Sequence, residues 1–295
     1  MTVPNLPPCV LLAGGPSAER DVSLRTGNAV EAALRRLYVP TRRFDPAGGS
    51  LGGCDFTAGE AGFLALHGTY GEDGTVQREL ARRGVPFTGD GEAASRLAFD
   101  KWATREAVAG AGGRVAEGTL ANDAAGWDRF PCVVKPRRQG SSVGLHLCRS
   151  RDDLAAAIDG DPSETLLESF VAGEEFTVGL VGGRLLPPVR VRPPGELFDA
   201  EAKYADPRSQ FTALADTADR RFGALLDAAA AAFAAVGVVK LGRADFIVPP
   251  NGPPVFLEVN TLPGMTERSL LPIAWEAAGG TFDSLVAAIL AGAAP

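Results

Sequence analysis

Lysine is nearly missing from this chain of 295 residues. Its 29 basic residues comprise 25 Arg and only 4 Lys, at positions 101, 135, 203 and 240. Arginine serves wherever a positive charge is enough, so the few lysines are candidates for places that need a compact ammonium rather than a planar fork; chance survival on the surface accounts for roughly one or two of them. Histidine is scarcer still. His67 and His146 stand alone, which excludes a His-rich zinc site. The four cysteines, Cys9, Cys54, Cys132 and Cys148, show no close pairing along the chain, and reduced cytoplasmic thiols are the expectation. Long charge-free apolar runs are absent too. The longest apolar stretch, LLDAAAAAFAAVGVV, carries Asp227 and reads as a core helix running into a strand, not a membrane span. The start, MTVPNLPPCVLLAGG, has no basic segment and too short an apolar run for a signal peptide. A net charge of −7 argues against non-specific nucleic-acid binding and against an anionic membrane surface.

What is present has the rhythm of an α/β protein. PCVLLAGG reads as a strand ending in a glycine turn, SAERDVSLRTGNAVEAALRRL as a loop feeding an amphipathic helix, FLALHG as a second strand, and TVQRELARRG as a helix closed by Gly84. This strand–loop–helix order predicts a parallel α/β layer over roughly the first 95 residues. The middle of the chain changes character. DKWATREAVAGA and SRDDLAAAI read as helices, and PCVVKP, VGLHLCRS, TLLESF and EFTVGLVGGRLLPPVRV as strands, an antiparallel α+β module. Pro193 to Arg221 lacks apolar periodicity and reads as a long mobile loop, of the kind that serves as a lid. A core helix, the strands LGRADFIV and PVFLEVN, a polar loop and the closing helix FDSLVAAIL end the chain.

The stretch FLEVNTLPGM places a carboxylate and an amide, Glu258 and Asn260, on one face of an apolar strand. The turn PPNGPP joins it to LGRADFIV. A hairpin symmetric about that turn sets Val248 opposite Val255, Asp245 opposite Glu258 and Arg243 opposite Asn260. Like charges in direct opposition are destabilising, so two facing carboxylates call for a cation between them. Asp, Glu and Asn form an all-oxygen set suited to Mg²⁺ or Mn²⁺, with water and a phosphate chain completing the shell. The competing reading is a surface hairpin carrying a simple Arg–Glu pair.

Three further stretches suggest phosphate and amino-acid chemistry, each with an ordinary alternative. VVKPRRQGSSVG delivers Lys135 on a strand into a glycine turn whose N–H groups can approach an anion, with the hydroxyls of Ser141 and Ser142; it is not a Walker loop, and a plain hairpin loop fits it as well. LLESFVAGEEF sets Glu168 at a strand end and Glu175 beyond a turn, where they either accept from an adenine amino group and a ribose or are solvated turn acids. GGPSAERDVS puts Glu19 at the carboxyl end of the first strand, suited to a substrate ammonium or simply to a helix dipole.

Taken in order, GGPSAERDVS, HGTYGEDGTVQ, AFDK, VVKPRRQGSSVG, LLESFVAGEEFTV, EAKY, GRADF and EVNTLPGMTERSLLP resemble the D-alanine–D-alanine ligase family of the ATP-grasp superfamily, over nearly the whole chain. The resemblance implies an α/β ATP-grasp fold, α+β in its ATP-binding part, with three domains: a Rossmann-like domain at 1–99, a central subdomain at 100–183 and a C-terminal subdomain with a lid at 184–295. It implies ATP gripped between the last two and two Mg²⁺ (or Mn²⁺) held by Asp245, Glu258 and Asn260. Lys101, Lys135 and, from the lid, Lys203 would contact phosphates, which employs three of the four lysines. Glu168, Phe170 and Val171 would line the adenine pocket and Glu175 would meet the ribose. Glu19 would hold the ammonium of a first D-alanine close to His67. Ser141 and Tyr204 would link to Glu19. Arg243 and the N–H of Gly264 would cradle the oxyanion, and Ser269 and Leu270 would meet the carboxylate of a second D-alanine.

The implied activity is ATP-dependent joining of two D-alanines for peptidoglycan precursors, by a cytoplasmic homodimer. The variant that joins D-alanine to D-lactate stands beside it, although Tyr204 favours an amino-acid acceptor. A silent nucleotide-binding homologue and a ligase for another acid and amine are the remaining alternatives. The chain departs from the family in a short first domain between Pro40 and Gly62, in the lack of a Pro-Ala stretch after Tyr204, and in Arg137–Arg138, which adds charge near the phosphates.

Overall fold

The structure is a computed structural model that describes residues 6–140, 144–193, 195, 208–214, 217–266 and 268–293. Ser141, Lys203 and Tyr204 lie outside the described residues. The first part follows the expected alternation: β1 (Cys9–Leu12), α1 (Arg20–Arg36), β2 (Thr41–Phe44), β3 (Ala61–Leu64), α2 (Thr75–Arg82) and α3 (Glu92–Phe99). Its strands form a parallel sheet ordered β2-β1-β3. Cys9, Val10, Leu11 and Leu12 are buried on both faces, the signature of a parallel strand covered by helices. The carboxyl ends of β1 and β3 therefore open onto one crevice, where Glu19 and His67 sit.

A four-stranded antiparallel sheet follows, ordered β4-β7-β5-β6. It comprises β4 (Gly118–Leu120), β5 (Cys132–Pro136), β6 (His146–Cys148) and β7 (Thr165–Ser169), with α4 (Lys101–Gly110) entering it and α5 (Arg151–Ala157) between β6 and β7. Ser150 caps α5 and Asp100 caps α4 through its carboxylate.

The third sheet holds β8 (Glu174–Val181), β9 (Arg184–Leu185), β10 (Val189–Arg192), β11 (Gln210–Ala213), β12 (Leu241–Val248) and β13 (Val255–Asn260). Its order is β11-β10-β8-β12-β13, with β9 on β8. The helices α6 (Arg220–Val236), α7 (Leu270–Ala277) and α8 (Phe282–Ala291) complete the chain. Two expectations change here. Glu174–Val181, drawn with the central stretch, pairs along its length with β12, so the seam between the two antiparallel sheets falls at 170–173. Within the expected mobile loop, Gln210–Ala213 is an edge strand on β10; its alternating exposure hid it from a search for apolar runs.

The hairpin β12–β13 also departs from symmetry. Phe246 pairs with Phe256 and Ile247 with Val255, whereas Asp245 pairs with Glu258 and Arg243 with Asn260. The one-residue shift leaves Leu257 as a bulge. Val248 is therefore not opposite Val255, yet the register beyond the bulge, where the polar residues lie, is the expected one. Two long-range ties fix this hairpin against the first sheet. The Asp90 carboxylate accepts N–H bonds from Val239, Lys240 and Leu241 at 2.9–3.2 Å. One core cluster also runs from Cys9–Leu12 of β1 through Leu241 and Leu262 to Leu271 and Leu285 of the last helices. Among the described residues, no single helix is long and apolar enough to cross a membrane.

Candidate active site

Asp245 and Glu258 face each other across β12 and β13. Asp245 is 4% exposed, a burial that an isolated carboxylate would not tolerate. It is held by a bidentate pair with Arg243 (Nε to Oδ1 2.8 Å, the terminal nitrogen to Oδ2 2.7 Å) and by the Thr177 hydroxyl donating to Oδ1 at 2.6 Å. Glu258 lies 3.4 Å from the Lys101 ammonium. Asn260 follows on the same face, its Oδ1 accepting the N–H of Leu262 at 3.0 Å. Among the described residues no three His, Cys, Asp or Glu side chains gather into a self-sufficient cage. Two carboxylates and an amide, all hard oxygen donors, fit a Mg²⁺-type ion whose shell is completed by water and phosphate.

A cavity of about 520 Å³ lies on one side of this pair, between the four-stranded and six-stranded sheets. Lys101, Lys135, Asp245 and Glu258 stand in its lining together with Glu168, Phe170, Val171 and Glu175. Val133, Ile247 and the bulged Leu257 supply apolar surface, as a flat aromatic base requires. Lys135 and Glu168 reach each other across neighbouring strands at 2.5 Å, and Arg105 stands 3.5 Å from the second Glu168 oxygen. Glu168, 5% exposed, is thus held between two cations.

A second, smaller cavity of about 60 Å³ opens on the other side of Lys101 and Glu258, which line both. Glu19, His67, Arg243, Asn260 and Gly264 meet here. Gly68 and Gly140 close over Glu19 so tightly that a Cβ on either would come within 2.7 or 2.6 Å of its carboxylate oxygen. Burial pushes the His67 imidazole down to about 4, with Arg243 and Arg25 reinforcing the effect and a backbone hydrogen bond at Leu262 opposing it. The Thr26 hydroxyl lies 3.0 Å from His67 Nε2. Glu72 completes the wall; burial, helped by Glu19 and Glu258, pushes its carboxyl up to about 8, against the Gly68 N–H that donates to it at 2.6 Å. A neutral imidazole and a protonated carboxyl therefore share one crevice at neutral pH.

A family model described as D-ala D-ala ligase C-terminus matches residues 111–291. The chain belongs to the D-alanine–D-alanine ligase family. It is 40% identical to a D-alanine–D-alanine ligase of Syntrophotalea carbinolica, over 96% of this chain and 95% of that one. Identity to the ligase of the same name from Halorhodospira halophila is 41%, over 95% and 94%. A solved D-alanine–D-alanine ligase of Bacillus anthracis, complexed with ATP, superposes with a TM-score of 0.82 at 27% identity, covering 97% of each chain. The mixed α/β architecture is that of the ATP-grasp ligases.

Against this D-alanine–D-alanine ligase frame, most sequence-derived site residues converge on the two cavities, and a few do not. Ser269 stands at the start of α7, its hydroxyl accepting the Thr266 N–H at 2.9 Å; it lies behind Gly264, 3.1 Å from where a Cβ there would project. The Leu270 side chain is buried in the core, and neither it nor Ser269 lines either of these two cavities. Arg137 and Arg138, expected to add charge near phosphates, turn away instead. Both bind the Asp100 carboxylate, at 2.7 and 2.9 Å, and Arg138 also binds Glu164 at 2.5 Å. Their charge fixes the start of α4 and thereby Lys101. Sequence reasoning assigned no role to Glu72, Thr177, Asp100 or Arg105. HGTYGEDG holds Glu72 next to a matched motif, but nothing local distinguishes it from Asp73, and Thr177 reads as an ordinary strand residue.

Proposed function

We propose that this chain joins two D-alanine molecules to D-alanyl-D-alanine with ATP, through a D-alanyl phosphate, as a step in making peptidoglycan precursors. The observation that carries the reading is the pair of adjoining cavities that share Lys101 and Glu258. That arrangement would let the end of a nucleotide's phosphate chain meet an amino-acid site. In this reading the larger cavity takes ATP, its adenine near Glu168, Phe170 and Val171, its ribose near Glu175 and its phosphates toward Lys101, Lys135 and, from outside the described residues, Lys203. Asp245, Glu258 and Asn260 would hold two Mg²⁺ (or Mn²⁺), which when bound spread the charge of the transferring phosphoryl group.

Carboxylates are poor electrophiles, so the first D-alanine carboxylate takes the γ-phosphoryl group of ATP and becomes an acyl phosphate. Glu19 would orient that molecule by its ammonium, beside a neutral His67. The second D-alanine attacks the acyl carbon with its free amine. Arg243 and the Gly264 N–H would stabilise the tetrahedral oxyanion, and phosphate leaves as the amide forms. The second carboxylate would sit at the start of α7, near Ser269 and Leu270. Ser141 and Tyr204 would couple a lid to Glu19 and exclude water from the acyl phosphate. We further read the chain as three domains that act as a homodimer in the cytoplasm.

Phosphate release from ATP, measured with D-alanine, L-alanine and D-lactate in turn, tests this. Release and dipeptide with D-alanine alone are the expected result. Preference for D-lactate at neutral pH would move the assignment to the ester-forming variant. No release above background from a folded sample that binds ATP would mark a silent homologue.

A further inference from the structure

Arg105 lies on α4 one turn beyond Lys101, on the same face of the helix. It is 8% exposed and stands outside the lining of the larger cavity, behind Glu168. Three contacts pin its guanidinium. One terminal nitrogen donates to the Ala116 carbonyl at 2.6 Å and the other to the Glu106 carboxylate at 2.7 Å, while its central carbon lies 5.0 Å from the centre of the Trp102 ring. The remaining donor, Nε, is buried and makes no hydrogen bond, with Glu168 Oε1 3.5 Å away. A buried N–H without an acceptor is rare enough to need a reason. Gly118, the register partner of Glu168 on β4, makes room for this approach. A Cβ there would lie 3.0 Å from Glu168 Cγ and 3.4 Å from Arg105 Nε.

The two cations on Glu168 differ in kind. Lys135 carries a compact ammonium on a flexible stem, 2.5 Å from Oε2, and it lines the larger cavity itself. In the reading above that ammonium also meets a phosphate, so it is divided between two partners. Arg105 is fixed by its three contacts and has no phosphate to serve, so it is the cation that stays with Glu168. With Oε1 turned toward Arg105, Glu168 keeps lone pairs directed into the cavity that it lines. A carboxyl group held that way accepts an amino N–H and repels a carbonyl oxygen.

We propose that Arg105 is a positioning residue for nucleotide choice: it anchors Glu168 so that an oxygen stays turned toward a purine bearing a 6-amino group, and so leaves Lys135 free for the phosphate chain. The proposal rests on the reading of the larger cavity as the nucleotide site. Once Arg105 is removed, Lys135 is the cation that remains on Glu168, and the two draw together. The base then loses its acceptor and the phosphate chain loses part of an ammonium. ATP suffers on both counts. Inosine triphosphate, which carries a 6-carbonyl in place of the amino group, suffers only at the phosphates, so the preference between the two nucleotides reports on Arg105 separately from overall affinity.

Calorimetric titration of the full chain with ATP and with inosine triphosphate, both with Mg²⁺, tests this in the parent, Arg105→Met, Arg105→Lys, Glu168→Gln and the double variant Arg105→Met with Glu168→Gln. The parent should prefer ATP. Arg105→Met should weaken ATP binding on the order of tenfold and inosine triphosphate less, so that the preference shrinks several-fold. Arg105→Lys should regain most of it. In the Glu168→Gln background the methionine substitution should change the preference no further, because Arg105 acts through that side chain. Melting curves establish that each variant is folded at the titration temperature; where Arg105→Met is not, Arg105→Gln, uncharged but with an amide donor for the Ala116 carbonyl, takes its place with the same expectation. The proposal is overturned if a folded variant weakens both nucleotides equally or keeps the parent preference, if lysine restores nothing, or if the preference still shrinks in the Glu168→Gln background. A parent that binds neither nucleotide, or an ATP preference that survives Glu168→Gln, would instead sink the nucleotide reading of the cavity, and the proposal with it.

Discussion

Asp245 and Glu258 stand directly opposite each other on β12 and β13, and each is taken up by a cation from a different direction, Arg243 for the first and Lys101 for the second. Opposed carboxylates would repel across a strand pair without these partners. Glu258 is the less buried of the two, so its charge can be removed with little effect on the fold. Glu258→Gln is expected to lower dipeptide formation by roughly 10²–10³-fold, the scale of losing one electrostatic group from a transition state. Thermal unfolding should shift little. A steady-state assay alongside a melting curve checks both.

Thr177 acts through Asp245. Its hydroxyl donates to Oδ1 at 2.6 Å from a site 2% exposed, so nothing else replaces it. A hydrogen bond to a charged group contributes about 1.5–3 kcal/mol. Thr177→Val should lower kcat by roughly tenfold or more and raise the Mg²⁺ concentration needed for half-maximal rate. Thr177→Ser should restore both. An unchanged Mg²⁺ requirement in the valine variant would reduce Thr177 to a packing residue.

The residues most legible in the sequence were those on β12 and β13. Strand alternation and a strong turn signal placed Arg243, Asp245, Glu258 and Asn260 on one face, and the bulge at Leu257 changed only the pairs nearer the turn. What stayed hidden has physical reasons. α7 contains Pro272 in its first turn, where the missing N–H costs nothing, so LLPIAWEA read as loop. α3 is eight residues of mixed character. Thr177 and Arg105 act at long range, and no local pattern reports a partner on another strand or helix.

Asp100 joins several devices in one carboxylate. It caps α4 through the Ala103 N–H at 3.1 Å and receives Arg137 and Arg138. Burial alone would raise its carboxyl, but those bonds hold it below the usual range. Asp100→Ala should cost about 0.5–2 kcal/mol for the lost cap. It should also weaken ATP binding, because Lys101 is the first residue of the helix it anchors. Asp100→Asn keeps the cap without the charge and should fall between. Calorimetric titration with ATP and a melting curve separate the two effects.

Gly140 is required by what faces it. A methyl group there would lie 2.6 Å from the Glu19 carboxylate oxygen. Gly140→Ala should therefore raise KM for D-alanine several-fold, leaving ATP affinity and the melting temperature close to the parent values. Separate saturation curves for the two substrates read this directly.

The crevice also imposes a pH profile on stability. Glu72 has its folded-state pKa raised to about 8 from 4.5, chiefly by burial. The unfolded chain therefore releases this proton from about pH 4.5 upward while the folded chain retains it, and stability falls as pH rises through that window. His67 works from the other side. Its folded pKa is lowered to about 4 from 6.5, so the unfolded chain binds a proton that the folded chain refuses, and stability falls as pH drops below 6.5. Between them, stability peaks near mildly acidic pH. Glu72→Gln keeps an acceptor for the Gly68 N–H without a titrating group, so it should raise the melting temperature at pH 8 and leave it nearly unchanged at pH 5. Melting curves at the two pH values decide it: an equal shift at both would mean that packing, not the retained proton, governs this residue.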